Sequence, residues 1–126
     1  MKRKILIFII TYQSSFRLMR IIKKIKKIKR KKNLYRILIS DDNSTDDTID
    51  YIKKINKFEK VDIILNKKNI GYGANIKQCL FYAIKRKFDY AIMIHGDDQY
   101  DAKYIPKIVN KLRDKNIYMA TGSRMI

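Results

Sequence analysis

The sequence predicts an α/β fold in which helices cover both faces of a mostly parallel central sheet. One observation behind this prediction is that short, Ile-rich apolar runs alternate with segments whose apolar residues recur at helical spacing. The other is that polar clusters follow directly after the apolar runs, where strands of such sheets end and where their ligands bind. Alternating strands and helices form right-handed βαβ units, which makes the strands parallel.

Five apolar runs have the length and composition of strands buried on both faces. They occupy residues 5–11, 35–40, 61–66, 90–95 and 117–121. Four segments between them carry apolar residues on one helical face. These residues are Leu18, Ile21, Ile22, Ile25 and Ile28 in the first segment, Thr48, Ile52 and Ile55 in the second, Ile76, Leu80, Ala83 and Ile84 in the third, and Ile105, Ile108, Val109 and Leu112 in the fourth. The predicted order is βαβαβαβαβ.

The composition is that of one compact domain. A chain of 126 residues fits a single domain with a core. Hydrophobic residues make up 46%, and four Gly and one Pro leave little room for linkers, so we expect residues 1–126 to form one domain. The formal net charge of +18 predicts attraction to phosphates, nucleic acid or an acidic membrane face, without choosing among them.

Cysteine usage and the amino terminus indicate a cytoplasmic protein. Cys79 is the sole cysteine, which excludes an internal disulfide, and we expect it in the core. Basic residues precede the first apolar run as in a signal peptide, but a basic stretch follows without a small-residue cleavage site, so we predict a strand there. No apolar run approaches the roughly 18 residues that a membrane span needs.

The cluster DDNSTDDT follows the second predicted strand. Ser44 is predicted to cap the next helix, and Asp47 completes a capping box three residues later. Asp41 and Asp42 are adjacent carboxylates at a strand end, where they can accept hydrogen bonds from a nucleobase imide or a ribose hydroxyl. The alternative interpretation is an ordinary acidic turn.

The segment NKKNIGYGANIK places Gly71 and Gly73 just before the third helix. Small residues let the backbone approach a ligand there, and the amides of a helix N-terminus favour phosphate. Lys67, Lys68 and Lys77 add positive charge. The segment lacks the third glycine of a dinucleotide fingerprint and the Gly-Lys-Ser/Thr of a P-loop, so a plain turn at the start of a helix is the alternative.

The fourth predicted strand ends in HGDDQYD, which brings His95, Asp97, Asp98 and Gln99 into one short turn. Carboxylate and amide oxygens are hard ligands that suit Mg²⁺ or Mn²⁺, and such ions keep positions for substrate phosphates. The turn therefore fits a cation that bridges to a diphosphate. His95, the sole histidine, is either an orienting side chain or a further metal ligand.

Five segments at the predicted strand ends together resemble family 2 glycosyltransferases of the GT-A fold. In chain order they are TYQ, DDNSTDDT, NIGYGANIK, HGDDQYD and GSR. Their order and spacing are most similar to those of the polyprenyl-phosphate (dolichyl- and undecaprenyl-phosphate) sugar transferases. The resemblance spans nearly the whole chain, and five motifs in order are far more specific than any one of them.

The resemblance assigns site residues by position. Its nucleoside contacts fall on Thr11, Tyr12, Gln13 and Asp41, with Asp42 in support. The nucleotide-binding set that we expect adds Asn69, Gly71, Gly73, Lys77 and Asp97.

The Asp-x-Asp-x-Gln metal motif of the family falls on the fourth strand end. Asp97 and Gln99 match ligand positions, and His95 replaces the first Asp. We expect Asp98 to point at solvent. Arg124 matches an arginine that lies near phosphate, a group that Arg binds bidentately.

The resemblance implies sugar transfer from a nucleotide-diphosphate sugar, assisted by Mg²⁺ or Mn²⁺, to a polyprenyl phosphate or a glycan in cell-envelope synthesis. The acceptor-binding part and the catalytic base are expected to lie outside this chain, which we interpret as truncated. Residues 1–126 would then be the donor-binding domain, at the cytoplasmic side of a membrane.

Two alternatives belong to other functional classes. One is an inactive remnant that binds a nucleotide sugar without transferring it. The other is a basic interaction protein, because eight of the ten residues 23–32 are Lys or Arg and such a helix can lie on anionic lipid or nucleic acid. A solvated helix face is the plainer interpretation. We expect peripheral contact with anionic membrane and no nucleic acid.

Overall fold

The computed structural model describes residues 2–28 and 33–120 and shows one sheet of parallel strands between helices. The strands are β1 (Arg3–Thr11), β2 (Asn33–Asp41), β3 (Asp62–Leu65) and β4 (Tyr90–His95). The helices are α1 (Phe16–Lys26), α2 (Thr48–Phe58), α3 (Tyr72–Lys85) and α4 (Ile105–Leu112), with a 3₁₀ turn at Ala102–Tyr104. The predicted α/β class is confirmed, and the strand order is β3-β2-β1-β4.

Strand β1 lies at the centre of the sheet and sets its register. It pairs with β2 from Arg3 opposite Asn33 to Thr11 opposite Asp41, and with β4 as far as Ile10 opposite His95. Since all pairs are parallel, the carboxyl ends of these three strands lie side by side. From β1 the chain adds β2 and β3 on one side of the sheet and then β4 on the other side. Ligands of such folds bind at this change in strand order, here between β1 and β4.

Both faces of β1 are buried, as its continuous apolar run predicts. Ile5, Ile7 and Ile9 pack in the cluster that contains the buried residues of α1, α2 and α4. The residues between them, including Phe8, pack against α3 through Cys79 and Ala83. Each fully buried side chain of this size stabilises the fold by about 1.5–3 kcal/mol, so the central strand is a rigid base for the residues at its end.

Helix α3 is rotated relative to the predicted apolar stripe. Its buried residues are Asn75, Cys79 and Ala83, while Leu80 is 42% and Ile84 72% exposed. Asn75 faces inward because its amide donates to the Ser40 carbonyl at 3.2 Å, and residues four apart share one helix face. The prediction of a core position is therefore confirmed for Cys79 and Ala83 and wrong for Leu80 and Ile84.

The predicted fifth strand is wrong over residues 117–120, which are not part of the sheet. The amide of Ile117 donates to the Asp114 carbonyl at 3.0 Å in a turn, and Tyr118 is 93% exposed. Apolar composition alone suggested a buried strand, but Met119 is also 78% exposed. Thr121 lies outside the described residues. No helix in the described part of the chain is long and apolar enough to cross a membrane.

A charged cluster joins α3 to the edge of the sheet. Arg36 of β2 donates to both carboxylate oxygens of Asp62 at 3.0 and 2.7 Å, and the Tyr82 hydroxyl donates to the same carboxylate. The hydrogen bond from Arg36 lowers the pKa of Asp62. Burial and the bond to Asp62 raise the pKa of Tyr82 to about 12.

Substituting Asp62→Asn tests this cluster. Because the folded state lowers the pKa of Asp62, its contribution is present above the unfolded pKa of about 3.9 and is lost as pH falls through the folded pKa. We expect the variant to lose about 1–3 kcal/mol of unfolding free energy at pH 7, measured by urea denaturation. The difference from wild type should shrink below about pH 4; a difference that is constant from pH 7 to pH 3 would contradict the assignment.

Candidate functional site

The Asp41 carboxylate organises the ends of β1 and β2. Asp41 and Thr11 are both fully buried, and the Thr11 hydroxyl donates to the carboxylate at 2.7 Å. Ser44 donates through its hydroxyl at 2.6 Å and its amide at 2.8 Å. These three bonds compensate the desolvation of a buried carboxylate, which would otherwise be unfavourable.

The predicted capping box at Ser44 and Asp47 is wrong. The residue that precedes α2 is Asp47, whose side chain makes no capping hydrogen bond. Ser44 instead donates to Asp41 and accepts the Gln13 amide at 2.9 Å. A hydrogen bond from the Ser44 hydroxyl to a carboxylate is stronger than one between neutral groups such as a hydroxyl and a backbone amide. Ser44 therefore stabilises the buried Asp41 and does not cap α2.

Asp42 shapes the turn that leads into α3. Its carboxylate accepts the amides of Ile70 at 2.8 Å and Gly71 at 2.9 Å, and the Asn66 side chain at 3.1 Å. Asn69 donates to the Asp42 carbonyl at 3.3 Å. Gly71 has φ +91°, a conformation that favours glycine. The Gly71 amide lies where the sequence predicted that a phosphate could bind, but it donates to Asp42.

Gln13 and Tyr12 differ in their roles. The Gln13 side chain accepts the Thr45 amide at 2.7 Å and donates to the Thr45 hydroxyl at 2.9 Å, which joins the turns after β1 and β2. The Tyr12 ring is 53% exposed beside these buried groups. Gln13 is thus engaged within the protein, whereas Tyr12 presents an aromatic surface to solvent.

The turn after β4 separates the two adjacent carboxylates. Asp97 is partly exposed, and its carboxylate accepts only the Gln99 amide, at 3.2 Å, within the described residues. The Asp98 side chain is 6% exposed and pairs with Lys24 of α1 at 3.0 Å. A positive φ of 58° at Asp98 turns it toward α1. The expectation that Asp98 points at solvent is therefore wrong, while Asp97 stays available to a ligand.

His95 lies between two tyrosine rings. The Tyr72 hydroxyl and His95 Nε2 are 2.9 Å apart, and their rings stack with centroids 5.4 Å apart. Tyr100 contacts His95 from a centroid distance of 5.8 Å. Nε2 is thus engaged by Tyr72, which favours an orienting role for His95 over a metal-ligating one.

The donor set at the β4 turn fits a cation only in part. In residues 2–28 and 33–120, no three His, Cys, Asp or Glu side chains lie close enough to hold a metal ion. Asp97 supplies one carboxylate, and the exposed Gln99 supplies an amide oxygen. Mg²⁺ typically takes one or two protein carboxylates and completes its shell with substrate phosphates and water. The residues present fit that kind of site and not a closed protein cage.

The sheet brings most of the expected residues to one edge. Thr11 and Asp41 are the last residues of β1 and β2, and Asp42 and Asp97 follow β2 and β4. Gly73 and the exposed Lys77 lie in the first two turns of α3. Arg124 lies outside the described residues.

Sequence reasoning missed the polar side chains that hold α3 against β2. The Ser40 hydroxyl donates to Asn75 at 2.5 Å, and Gln78 donates to Ser40 at 2.9 Å. Their signal was the position of Ser40 immediately before the aspartate pair. The bonds from Ser44 to Asp41 and from Tyr72 to His95 were likewise not predicted from the sequence.

Two sequence comparisons identify relatives. The family described as Glycosyl transferase family 2 matches residues 6–126. An uncharacterized protein of Methanocaldococcus jannaschii is 33% identical over 90 residues, which cover 69% of this chain and 39% of that protein.

Solved structures superpose on most of this chain. A mannosyltransferase of Pyrobaculum calidifontis, solved with GDP-Man and Mn²⁺, superposes with a TM-score of 0.77 at 15% identity over 93% of this chain and 34% of its own. A 1–349 fragment of S. aureus TarS with UDP-GlcNAc gives 0.65 at 17% identity over 88% and 31%. The likeness shows the GT-A fold. The chain spans between about a third and two fifths of the lengths of these relatives.

Substituting Gly96→Ala tests how the β4 turn is held against β1. A Cβ at this position would overlap the Ser14 hydroxyl and lie 3.0 Å from the Ile10 carbonyl, whereas a Cβ at Gly73 meets nothing within 4 Å. We expect Gly96→Ala to lower the unfolding free energy by about 1–3 kcal/mol. The matched variant Gly73→Ala, inside a helix, should hold or raise it by about 0.5–1 kcal/mol. Equal stabilities of the two variants would contradict this packing.

Proposed function

We propose a function from one premise: this chain belongs to glycosyltransferase family 2. The carboxyl ends of β1, β2 and β4, which we call the strand-end edge, bind the nucleotide-diphosphate sugar of a glycosyl transfer reaction. The observation that carries the proposal is the register of β1, which places Asp41 and Asp42 on one side of Thr11 and the Asp97 turn on the other. Carboxylates for a nucleoside and a cation-binding carboxylate for a diphosphate thus share one edge.

The nucleoside contacts follow from how the two buried aspartates are used. A carboxylate has about four acceptor sites, and Asp41 and Asp42 each accept three internal hydrogen bonds. Asp41 is fully buried while Asp42 keeps 4% exposure. The motif resemblance gave the nucleoside contact to Asp41, with Asp42 in support. Because only Asp42 keeps any exposure, we propose the reverse: Asp42 makes the direct contact, and Asp41 and Thr11 hold the turn beneath it. Tyr12 stacks on the base, and Gln13 holds the turns after β1 and β2 together beside it.

The diphosphate belongs at the β4 turn. Asp97 and Gln99 supply oxygen ligands for Mg²⁺ or Mn²⁺, which, when bound, stabilises the charge that develops on the leaving diphosphate. Lys77 on the exposed side of α3 adds positive charge near the phosphates. Tyr72 and Tyr100 hold His95 so that it orients the turn. Arg124 stays the phosphate-binding residue predicted from the motif.

The acceptor is inferred from the sequence motifs. The motif resemblance favours a polyprenyl phosphate, with a glycan of the cell envelope as the alternative. The mannosyltransferase that superposes on this chain was solved with GDP-Man and Mn²⁺, which supports a nucleotide-sugar donor and a divalent cation here.

Calorimetry with UDP-, GDP- and dTDP-sugars, with and without Mn²⁺, tests donor binding. We expect one donor to bind more tightly with Mn²⁺, and Asp97→Asn to remove the metal-dependent part, a loss of roughly tenfold or more. Asp50→Asn, an exposed carboxylate on α2, is the matched control and should bind as wild type. Metal-independent behaviour of every donor would refute the Asp97 assignment.

The base-stacking role of Tyr12 has its own test. Base–aromatic stacking contributes about 1–3 kcal/mol, so Tyr12→Ala should weaken donor binding by roughly tenfold. Tyr12→Phe keeps the ring and should bind within about twofold of wild type. The same calorimetric titration measures both, and unchanged binding by Tyr12→Ala would remove the stacking role.

A further inference from the structure

The outer face of α3 carries exposed apolar side chains. Leu80 is 42%, Phe81 63% and Ile84 72% exposed, and Ile84 shares a helix face with both of the others because it lies four residues after Leu80 and three after Phe81. Met93 of β4, 38% exposed, is paired with Phe8, whose side chain faces α3, and so lies on the same face of the sheet. Contiguous exposed apolar residues mark interaction surfaces, whereas single ones need no explanation.

The segment that carries this face is basic. Residues 63–88 contain no Asp or Glu and six basic residues. They are Lys67, Lys68, Lys77, Lys85, Arg86 and Lys87. Within the described residues, neither Lys77 nor Lys85 pairs with a carboxylate. Charge of one sign beside exposed apolar side chains is typical of helices that lie in a membrane interface.

A cavity at the carboxyl end of α3 gathers the cations. It measures about 410 Å³ and is lined by Lys4, Tyr82, Lys85 and Arg86. Lys4 is anchored there because its ammonium donates to the Arg86 carbonyl at 2.7 Å. The nearby Asp62 is neutralised by Arg36. The lining itself therefore offers ammonium and guanidinium groups to an anion. The carboxylates beside it are already bonded, Asp62 to Arg36 and Tyr82, and Asp89 to the Lys4 amide at 2.7 Å.

Helix α1, the surface expected from the basic run, is less suited to this role. Lys24 and Arg20 pair with Asp98 at 3.0 and 3.6 Å, and Lys26 pairs with Glu59 at 3.1 Å. Four of its apolar residues, Leu18, Ile21, Ile22 and Ile25, are fully buried, and only Phe16 at its start is largely exposed, at 54%. Internal pairing leaves α1 with fewer cations for a partner and no apolar stripe. Residues 29–32 lie outside the described part.

We propose that the outer face of α3 docks on an anionic phospholipid membrane. Phe81 and Ile84 enter the boundary between headgroups and acyl chains, and the cavity of Lys4, Lys85 and Arg86 binds a lipid phosphate. A helix of 14 residues is about 21 Å long, and its first residue, Tyr72, contacts His95 at the strand-end edge. The membrane then runs alongside the edge where the aspartates lie. This docking does not depend on glycosyl transfer.

Vesicle co-sedimentation at fixed ionic strength tests the surface. The probes are phosphatidylcholine vesicles with and without phosphatidylglycerol, and we expect binding only to the anionic ones. Phe81→Ser with Ile84→Ser should weaken that binding by roughly tenfold or more. Lys85→Gln with Arg86→Gln should weaken it by a similar factor of about ten. Lys23→Gln with Lys27→Gln, which removes the same charge from α1, is the matched control and should weaken it less than about threefold.

Three results would overturn the proposal. They are the absence of wild-type binding to anionic vesicles, full binding by the Phe81/Ile84 double variant, and a larger loss in the α1 variant than in the α3 variants. Because the substituted side chains are exposed, we expect each variant to keep the fold. Thermal unfolding of each variant checks this. Sedimentation without vesicles adds one more decisive outcome: a wild-type dimer that the Phe81/Ile84 substitutions dissociate would assign this face to a second copy of the chain.

Discussion

Parallel pairing of β1 with both β2 and β4 is the constraint on which the rest of this structure depends. A one-residue slip in either pair would exchange the side chains that β1 presents to its two faces relative to the neighbouring strand and would separate Thr11 from Asp41 or Ile10 from His95. The register that avoids this also places Thr11 beside Asp41 and Ile10 beside His95. Core packing and site geometry are thus set by the same pairing, and the polar edge follows from the apolar strand.

Desolvation of the two aspartates at that edge explains much of the local structure. Asp41 and Asp42 are nearly inaccessible to water, and an ionised carboxylate there is favourable only if hydrogen-bond donors replace water. The turn after β2 supplies Ser44, and the turn before α3 supplies the amides of Ile70 and Gly71. Loops that would otherwise be independent are thereby fixed relative to one another, which gives a preorganised surface for a polar ligand.

The sequence predicts the features of this fold that depend on local pattern. Apolar runs identify four strands, and their polar ends identify the edge that carries Asp41 and Asp97. A local pattern does not predict which of several possible partners a side chain bonds to. Ser44 has a capping sequence around it but bonds to Asp41, and Asp98 lies beside Asp97 but pairs with Lys24 across the fold. Such competition is decided only when strands and helices have come together.

The same reasoning applies to the distribution of charge. Residues 23–32 are the most basic run in the sequence, yet α1 is neutralised in part by Asp98 and Glu59. Helix α3 has a less conspicuous sequence, but no carboxylate lies within its segment and its inward face is fixed by Asn75 and Cys79. Inward placement of those two side chains turns Phe81 and Ile84 outward. The polar contact between Asn75 and Ser40 that holds α3 on the sheet therefore also determines which surface is left for a partner, and it joins that surface to the edge bearing the aspartates.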